Sequence, residues 1–351
     1  MKTAVLWIDP AHPDEEKIAA AGRVIRQGGL VAFPTETVYG LGGDALNAGA
    51  SVKIYEAKGR PSDNPLIVHI ADMEALPLIA AEIPDTAYRL ADAFWPGPLT
   101  MIFRKTAAVP DRTSGGLDTV AVRMPDHPTA LALIRAGGGY IAAPSANASG
   151  RPSPTSAEHV RQDLDGRIGM ILDSGPTQIG IESTIVDLTE EVPVILRPGF
   201  INRRMIEDVA GEVRIDPGIT ESGEAEHVRP KAPGMRYRHY APRAPLTIVE
   251  GRREDVADRI NELTAGAEAE GKKTGILASE ETADSYRYGK VYRVGSLESE
   301  ETIARHLFEV LRQCDADGAD VLYSESFDTP DMGMAIMNRL LKAAGHQIIH
   351  V

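Results

Sequence analysis

Gly28-Gly-Leu-Val-Ala-Phe-Pro-Thr-Glu-Thr-Val-Tyr-Gly-Leu-Gly-Gly43 is the stretch from which the rest of the chain can be read. Gly28-Gly29 ends a helical pattern that runs from Glu15 to Gln27 and places Ile18, Ala21, Val24 and Ile25 on one face. The apolar run Leu30 to Phe33 then reads as a short buried strand. Pro34 breaks it, and hydroxyls, one carboxylate and glycines take over. Small polar groups at the end of a buried strand, on backbone that a ligand can approach closely, suit a ligand-gripping loop. Further on, a helix-like run from Lys53 ends in Lys58-Gly-Arg60-Pro-Ser-Asp-Asn64-Pro-Leu-Ile-Val-His69, a basic turn feeding a second apolar strand.

The alternation of helix and strand continues outward from there. Strands are expected at 66–70, 99–103, 119–123, 140–143, 168–172, 184–188 and 193–196. Helices are expected at 127–136 and, opened by the capping-box pattern Thr155-Ser-Ala-Glu158, up to about Leu164. This predicts an α/β domain with a mixed sheet over 1–215. Pro217 to Pro245 differs. It has few aliphatic residues and five prolines, and it reads as a linker over 216–245. From Leu246 the pattern resumes. Strands at 246–250, 274–278 and 321–323 alternate with helices at 252–269, 300–313 and 331–344, a small Rossmann-like α/β domain over 246–351. Gly266-Ala-Glu-Ala-Glu-Gly-Lys-Lys273 nearly spells a phosphate-binding loop. It joins a helix to a strand, the reverse of the order that aims a helix N-terminus at an anion, and it carries two glutamates.

A chain of 351 residues suits two cores. The net charge is −14, evenly spread: residues 1–210 hold 19 Lys/Arg against 26 Asp/Glu, and 211–351 hold 18 against 25. With no basic domain, broad nucleic-acid binding is disfavoured as the main activity. Cys314 is the sole cysteine, so an intramolecular disulfide and a cysteine zinc site are excluded. The nine histidines form no zinc-protease pattern, and there is no G-x-S-x-G nucleophile elbow. Ala4 to Ile8 is too short an apolar run for a signal peptide, and no window reaches the roughly 20 apolar residues of a membrane span. The expectation is a cytoplasmic protein.

Several residues could carry chemistry. Lys58 and Arg60, at a helix end, could clamp a polyphosphate or simply complement that helix's dipole. Ser145-Ala-Asn147 follows a buried strand; its short polar groups could hold phosphate oxygens or hydrated Mg²⁺, although Ser and Asn are common in any turn. His69 ends an apolar strand, where a histidine is often structural. Arg123 sits inside Val120-Ala-Val-Arg-Met, and a cation in such a run demands an anion. Arg197 interrupts Val194-Ile-Leu in the same way.

Taken together, these segments resemble the threonylcarbamoyl-AMP synthase family, whose catalytic part is the YrdC-type domain. The resemblance extends to Phe94-Trp-Pro-Gly-Pro-Leu-Thr100, Val120-Ala-Val-Arg-Met-Pro, Ala143-Pro-Ser-Ala-Asn-Ala-Ser-Gly-Arg-Pro-Ser153, Gly180-Ile-Glu-Ser-Thr-Ile-Val-Asp187, Leu196-Arg-Pro-Gly199 and Ala232-Pro-Gly-Met-Arg-Tyr-Arg-His-Tyr-Ala-Pro242. It covers nearly the whole chain, in the family's order. It implies a twisted, curved mixed sheet with a concave ligand face, followed by a Rossmann-like domain. By resemblance, Thr35, His69, Arg123 and Ser183 contact threonine. Lys58, Arg60, Asn64, Thr119, Ser145, Asn147, Ser153, Arg197, Tyr237 and Tyr240 contact ATP, with Lys58, Arg60, Ser145 and Asn147 closest to the chemistry. No metal site is built by the protein itself, Mg²⁺ arrives with ATP, and no organic cofactor is implied.

The implied reaction joins L-threonine, bicarbonate and ATP into threonylcarbamoyl-AMP and releases pyrophosphate. A tRNA threonylcarbamoyl transferase would take the product. No nucleophilic triad is needed, since positioning and neutralisation of phosphate charge suffice. Direct RNA binding is expected to be weak or absent, and membrane contact absent. Two other readings stay open: an RNA-binding module, which the acidic balance opposes, and a hydrogenase-maturation carbamoyltransferase, whose cysteine zinc fingers have no counterpart here. Residues 229–243 carry five Lys/Arg and no acid, so a lid is expected there, with Arg236, Tyr237, His239 or Tyr240 reaching the nucleotide.

Overall fold

The computed structural model describes residues 2–220 and 239–351. The predicted lid therefore falls mostly outside the described residues, Arg236 and Tyr237 included. The described chain forms two compact units. One gathers 2–149, 153–178 and 182–220; the other gathers 150–152, 179–181 and 239–351.

The first unit is built on a mixed sheet of twelve strands among the described residues. Its order is Ala4–Trp7, Met170–Asp173, Val31–Phe33, Gly40–Asp44, Ile141–Ala142, Ile67–His69, Thr119–Arg123, Leu99–Lys105, Thr184–Asp187, Val194–Arg197 and Arg214–Ile215, with Ala80–Ala81 paired to Leu99–Lys105. Ile67–His69 and Thr119–Arg123 run parallel, as do Leu99–Lys105 and Thr184–Asp187, while Thr119–Arg123 and Leu99–Lys105 are antiparallel. The core between sheet and helices holds Tyr39, Ile54, Leu66, Val68, Leu99, Phe103 and Val122. A second cluster of Ile25, Phe33, Leu133, Ile134 and Leu172 seats the helices Glu15–Arg26 and Pro128–Ala136. Asp14 caps the first of these, accepting from the backbone N–H groups of Glu16 and Lys17.

Three local expectations are revised. The helix leading to Lys58 starts at Ala48, not near Lys53, under an Asn47 cap that accepts from Gly49 N. Its first turn, Ala-Gly-Ala-Ser, has no apolar period to read. The helix Ala157–Leu164 is capped by Ser156, which accepts from His159 N, and not by Thr155. The apparent capping box is thus one residue out of step, because a histidine stands where the reciprocal Glu or Gln would be. Gly40–Asp44 is a full strand that propensity passes over. Its glycines make room for bulky neighbours: a Cβ on Gly42 would lie 2.8 Å from Ile141 Cγ2 and 2.9 Å from Phe33 Cε1.

The second unit carries a five-stranded sheet, all neighbours parallel, in the order Lys290–Gly295, Thr274–Ser279, Val321–Glu325, Leu246–Glu250 and Ile348–His350. Helices Arg253–Ala269, Glu300–Asp317 and Gly333–Ala343 connect them. Among the described residues no helix is long and apolar enough to cross a membrane.

Candidate active site

Strand register assembles one half of the site. His69 and Arg123 are paired across parallel strands, and Arg123 is paired with Thr100 on its other side. Paired residues present their side chains on the same face, so three short strands place an imidazole, a guanidinium and a hydroxyl in a row. Thr100 and Ser183 share a 2.8 Å hydroxyl–hydroxyl hydrogen bond. Arg197 donates from Nε to Ser183 O (3.0 Å) and from Nη2 to Ser183 Oγ (3.2 Å). All five residues are buried. The two isolated arginines in apolar strands thus converge on one polar row.

The opening loop closes this row from above the strand ends. Thr35 Oγ1 accepts from the backbone N–H groups of Thr37 and Val38 and donates to Val38 O, which fixes a tight hydroxyl-braced turn. Arg123 donates from Nη1 to Thr37 Oγ1 (2.9 Å) and from Nε to Gly97 O (3.2 Å). Its Nη2 lies 2.7 Å from Glu36 Oε1. That contact is an ion pair set off the N–H axis, because neither Glu36 oxygen nor Arg123 Nη2 has an aligned hydrogen-bond partner. The anion that a buried Arg123 requires is therefore Glu36, from the opening loop. Glu36, Thr37 and Thr100 were not singled out as site residues by the sequence. The only signal for Glu36 was a lone carboxylate among hydroxyls and glycines.

His69 is buried, with Nδ1 3.2 Å from Ile67 O and its ring edge-on to Phe33. Burial first, then the Arg123 charge, pull its pKa down from 6.5 to about 3. The imidazole is neutral in the folded protein. The folded pKa is depressed, so the unfolded chain takes up a proton below pH 6.5 that the folded chain refuses until about pH 3. Stability from this group is complete above pH 6.5 and is lost as pH falls through that window. The imidazole proton signals of His69 should accordingly stay at their neutral positions in an NMR titration from about pH 8 to about pH 5. Movement of those signals with a midpoint near the ordinary histidine value would show that the ring is solvated.

The other half of the site forms where the helix Ala48–Lys58 ends. Gly59 leaves the helix at φ 63, in the left-handed region that favours glycine. Lys58, the last helical residue, is buried and sends Nζ to Ser145 O and Asn147 O, both at 2.5 Å, and to Asn147 Oδ1 at 3.3 Å. Ser145 Oγ donates to Asn147 Oδ1 at 2.6 Å, and Ser149 N donates to Lys58 O at 2.8 Å. The Ser145-Ala-Asn147 loop is also tied to the opening segment: Leu41 N donates to Pro144 O and Ala146 N to Tyr39 O. The loop also follows the strand Ile141–Ala142, whose pairing with Ile67–His69 joins it to the first half.

The remaining sequence-derived candidates each have their own surroundings. Arg60 is half-buried and donates to Pro65 O. Asn64 is buried, its carbonyl accepts from Tyr55 Oη, and its Oδ1 has no hydrogen-bond partner among the described residues. Ser153 donates to Glu182 Oε1 at 2.5 Å. Thr119 begins the strand that Arg123 ends, four residues and about 13 Å away, and pairs with Arg104. Tyr240 belongs to the second unit, where its buried ring lies 5.0 Å from that of Phe308.

Comparison with known proteins bears on this arrangement. Residues 23–199 match the Sua5/YciO/YrdC family model described as "Telomere recombination". Residues 201–345 match "Threonylcarbamoyl-AMP synthase, C-terminal domain". The threonylcarbamoyl-AMP synthase of Pyrococcus abyssi is 52% identical over 338 residues, 96% of this chain and 97% of its own. That of Bacillus subtilis is 50% identical over 353 residues, 99% of this chain and 100% of its own. The crystal structure of P. abyssi Sua5 complexed with L-threonine superimposes with a TM-score of 0.93 at 50% identity, covering 99% of this chain and 100% of that one. With both family models in tandem and full-length relatives at this identity, the chain belongs to the threonylcarbamoyl-AMP synthase family, in its two-domain form.

Proposed function

We propose that this protein is an L-threonylcarbamoyladenylate synthase, a nucleotidyltransferase that condenses L-threonine, bicarbonate and ATP into threonylcarbamoyl-AMP and releases pyrophosphate. The observation that carries this reading is the juxtaposition of a neutral imidazole, a buried guanidinium and hydroxyls (His69, Arg123, Thr100, Ser183) with a lysine-anchored Ser145-Ala-Asn147 loop, which follows the strand Ile141–Ala142 paired to Ile67–His69. An amino acid bearing a hydroxyl suits the first cluster and a polyphosphate suits the second. The L-threonine complex of the P. abyssi protein supports the first assignment.

In this reading Arg123 pairs with the threonine carboxylate, while Thr35, His69 and Ser183 bond its polar groups. Lys58, Arg60, Asn64, Ser145, Asn147, Ser153 and Arg197 face the nucleotide. Arg197, hydrogen-bonded to Ser183, would link the two subsites. Thr119, Tyr237 and Tyr240 are retained as nucleotide contacts on resemblance alone. Mg²⁺ would enter on the ATP phosphates. The hydroxyl and amide oxygens of Ser145 and Asn147 are hard donors suited to that ion or its waters, and the metal would supply charge neutralisation at the phosphates. The amine of threonine attacks bicarbonate, the resulting carbamate attacks the α-phosphorus, and pyrophosphate leaves. The product would pass to a tRNA threonylcarbamoyl transferase in the cytoplasm.

A site whose polar groups are set for a hydroxyl leaves them unpaired when the hydroxyl is missing. Pyrophosphate release from ATP should therefore require bicarbonate and L-threonine together, and L-valine should support it at least about a hundredfold less well. Equal turnover with valine would remove the substrate assignment.

A further inference from the structure

We propose that Glu36 receives the ammonium group of L-threonine and takes the proton that must leave before the amine can attack bicarbonate. The inference rests on the reading of the site given above. It starts from a physical anomaly. Glu36 is 4% exposed, and both of its carboxylate oxygens are buried without a hydrogen bond. A buried carboxylate is costly unless donors reach it. Arg123 supplies opposite charge at 2.7 Å but no aligned N–H. Among the described residues no aligned donor completes Glu36.

An α-amino acid supplies such a donor. Its ammonium and carboxylate are neighbouring groups of opposite charge, and Arg123 and Glu36 present the complementary pair side by side. The carboxylate would take the unaligned face of the Arg123 fork, and the ammonium would donate to Glu36. Two other described carboxylates near the substrate clusters are engaged by protein donors: Glu182 accepts from Ser153 and Asp163 accepts from Ala148 N. Thr35 and Thr37 flank Glu36 in sequence and are both buried in the same turn, so the carboxylate is fixed rather than free to swing away.

The step balances. One N–H bond of the ammonium breaks and an O–H bond forms on a Glu36 oxygen, leaving the electron pair on nitrogen. The neutral amine attacks the bicarbonate carbon. A second amine proton leaves with the bicarbonate hydroxyl as water, giving the carbamate. Among the described residues, the charged and titratable groups that face Glu36 are Arg123, from the strand Thr119–Arg123, and Asp126 and His127, from the loop that follows it. The pKa of Asp126 is raised, by burial and then by the Glu36 charge. That of His127 is lowered by burial, against an upward pull from Glu36. Asp126 is exposed, which offers the proton a route from Glu36 to solvent.

The test is Glu36→Gln, which keeps the shape but not the charge. Bicarbonate-dependent and threonine-dependent pyrophosphate release would be followed against pH, beside wild type and Glu36→Asp. The Gln variant should lose about 10²- to 10⁴-fold in kcat at neutral pH. Its rate should then climb about tenfold per pH unit in alkaline solution as threonine arrives already deprotonated. Glu36→Asp keeps the base and should retain the wild-type pH profile at reduced rate. ATP binding by calorimetry should be unchanged in both. A loss by the same factor at every pH, or no loss, overturns the assignment of Glu36 while leaving the synthase reading in place. Failure of the wild type to release pyrophosphate with threonine and bicarbonate removes both. Should the Gln variant not fold, the Asp variant decides: a pH profile displaced from that of wild type overturns the proposal.

Discussion

Arg123→Ala should abolish detectable L-threonine binding and lower the unfolding free energy by about 3–5 kcal/mol, the range for removing one partner of a buried ion pair. Arg123 and Glu36 are both buried, and their contact is 2.7 Å. Alanine would also strip Thr37 Oγ1 and Gly97 O of a donor. The destabilisation comes less from the lost attraction than from a carboxylate stranded out of water. A double variant, Arg123→Met with Glu36→Gln, removes both charges and should recover much of the stability without recovering threonine binding. Urea unfolding of the single and double variants separates the two effects. A single variant as stable as wild type would mean that Glu36 is solvated after all.

The second large effect is a contrast at the nucleotide side. Arg60→Ala should weaken ATP binding by roughly 1.5–3 kcal/mol, the range of a charge-assisted hydrogen bond, with little change in stability. Lys58→Ala should do that and also loosen the protein. Lys58 Nζ holds the part-buried Ser145 carbonyl and the buried Asn147 carbonyl, and truncation leaves both without that donor. Its loss should therefore lower the melting temperature and spread to threonine binding, because the same loop is tied to residues 39–41. Calorimetry of each variant with each ligand, beside thermal unfolding, reads this directly. Identical profiles for the two variants would place Lys58 and Arg60 in one role and refute the anchoring function of Lys58.

Much of the architecture is legible without coordinates. Gly28-Gly29 after the face Ile18, Ala21 and Ile25 marks a helix exit, and Val31–Phe33 is the strand expected there. Arg123 and Arg197, each alone inside an apolar strand, announce buried charge and hence a site. Local rules failed where the neighbours were not local. Gly40–Asp44 is a strand because Phe33 and Ile141 fill the space a side chain would need. The helix ending at Lys58 begins earlier than its apolar period because its first turn carries no large residue to mark a face.

The sequence by itself determined the class of the protein: two α/β units, no disulfide, no basic domain, and polar residues set in order along apolar strands. Those follow from composition and periodicity, which the chain carries whatever it packs against. Only the tertiary structure decided which polar groups meet. Strand order, not spacing, brings His69, Arg123 and Thr100 into one row, since residues 69, 100 and 123 become neighbours only when three strands pair in register. It also decided that Glu36, one carboxylate among fifty-one acidic residues, is the one set against Arg123. A buried charge must find its counter-charge, and the sequence states that requirement without naming the partner. The partner is fixed by the fold, because desolvation makes a wrong pairing too costly to survive in the core.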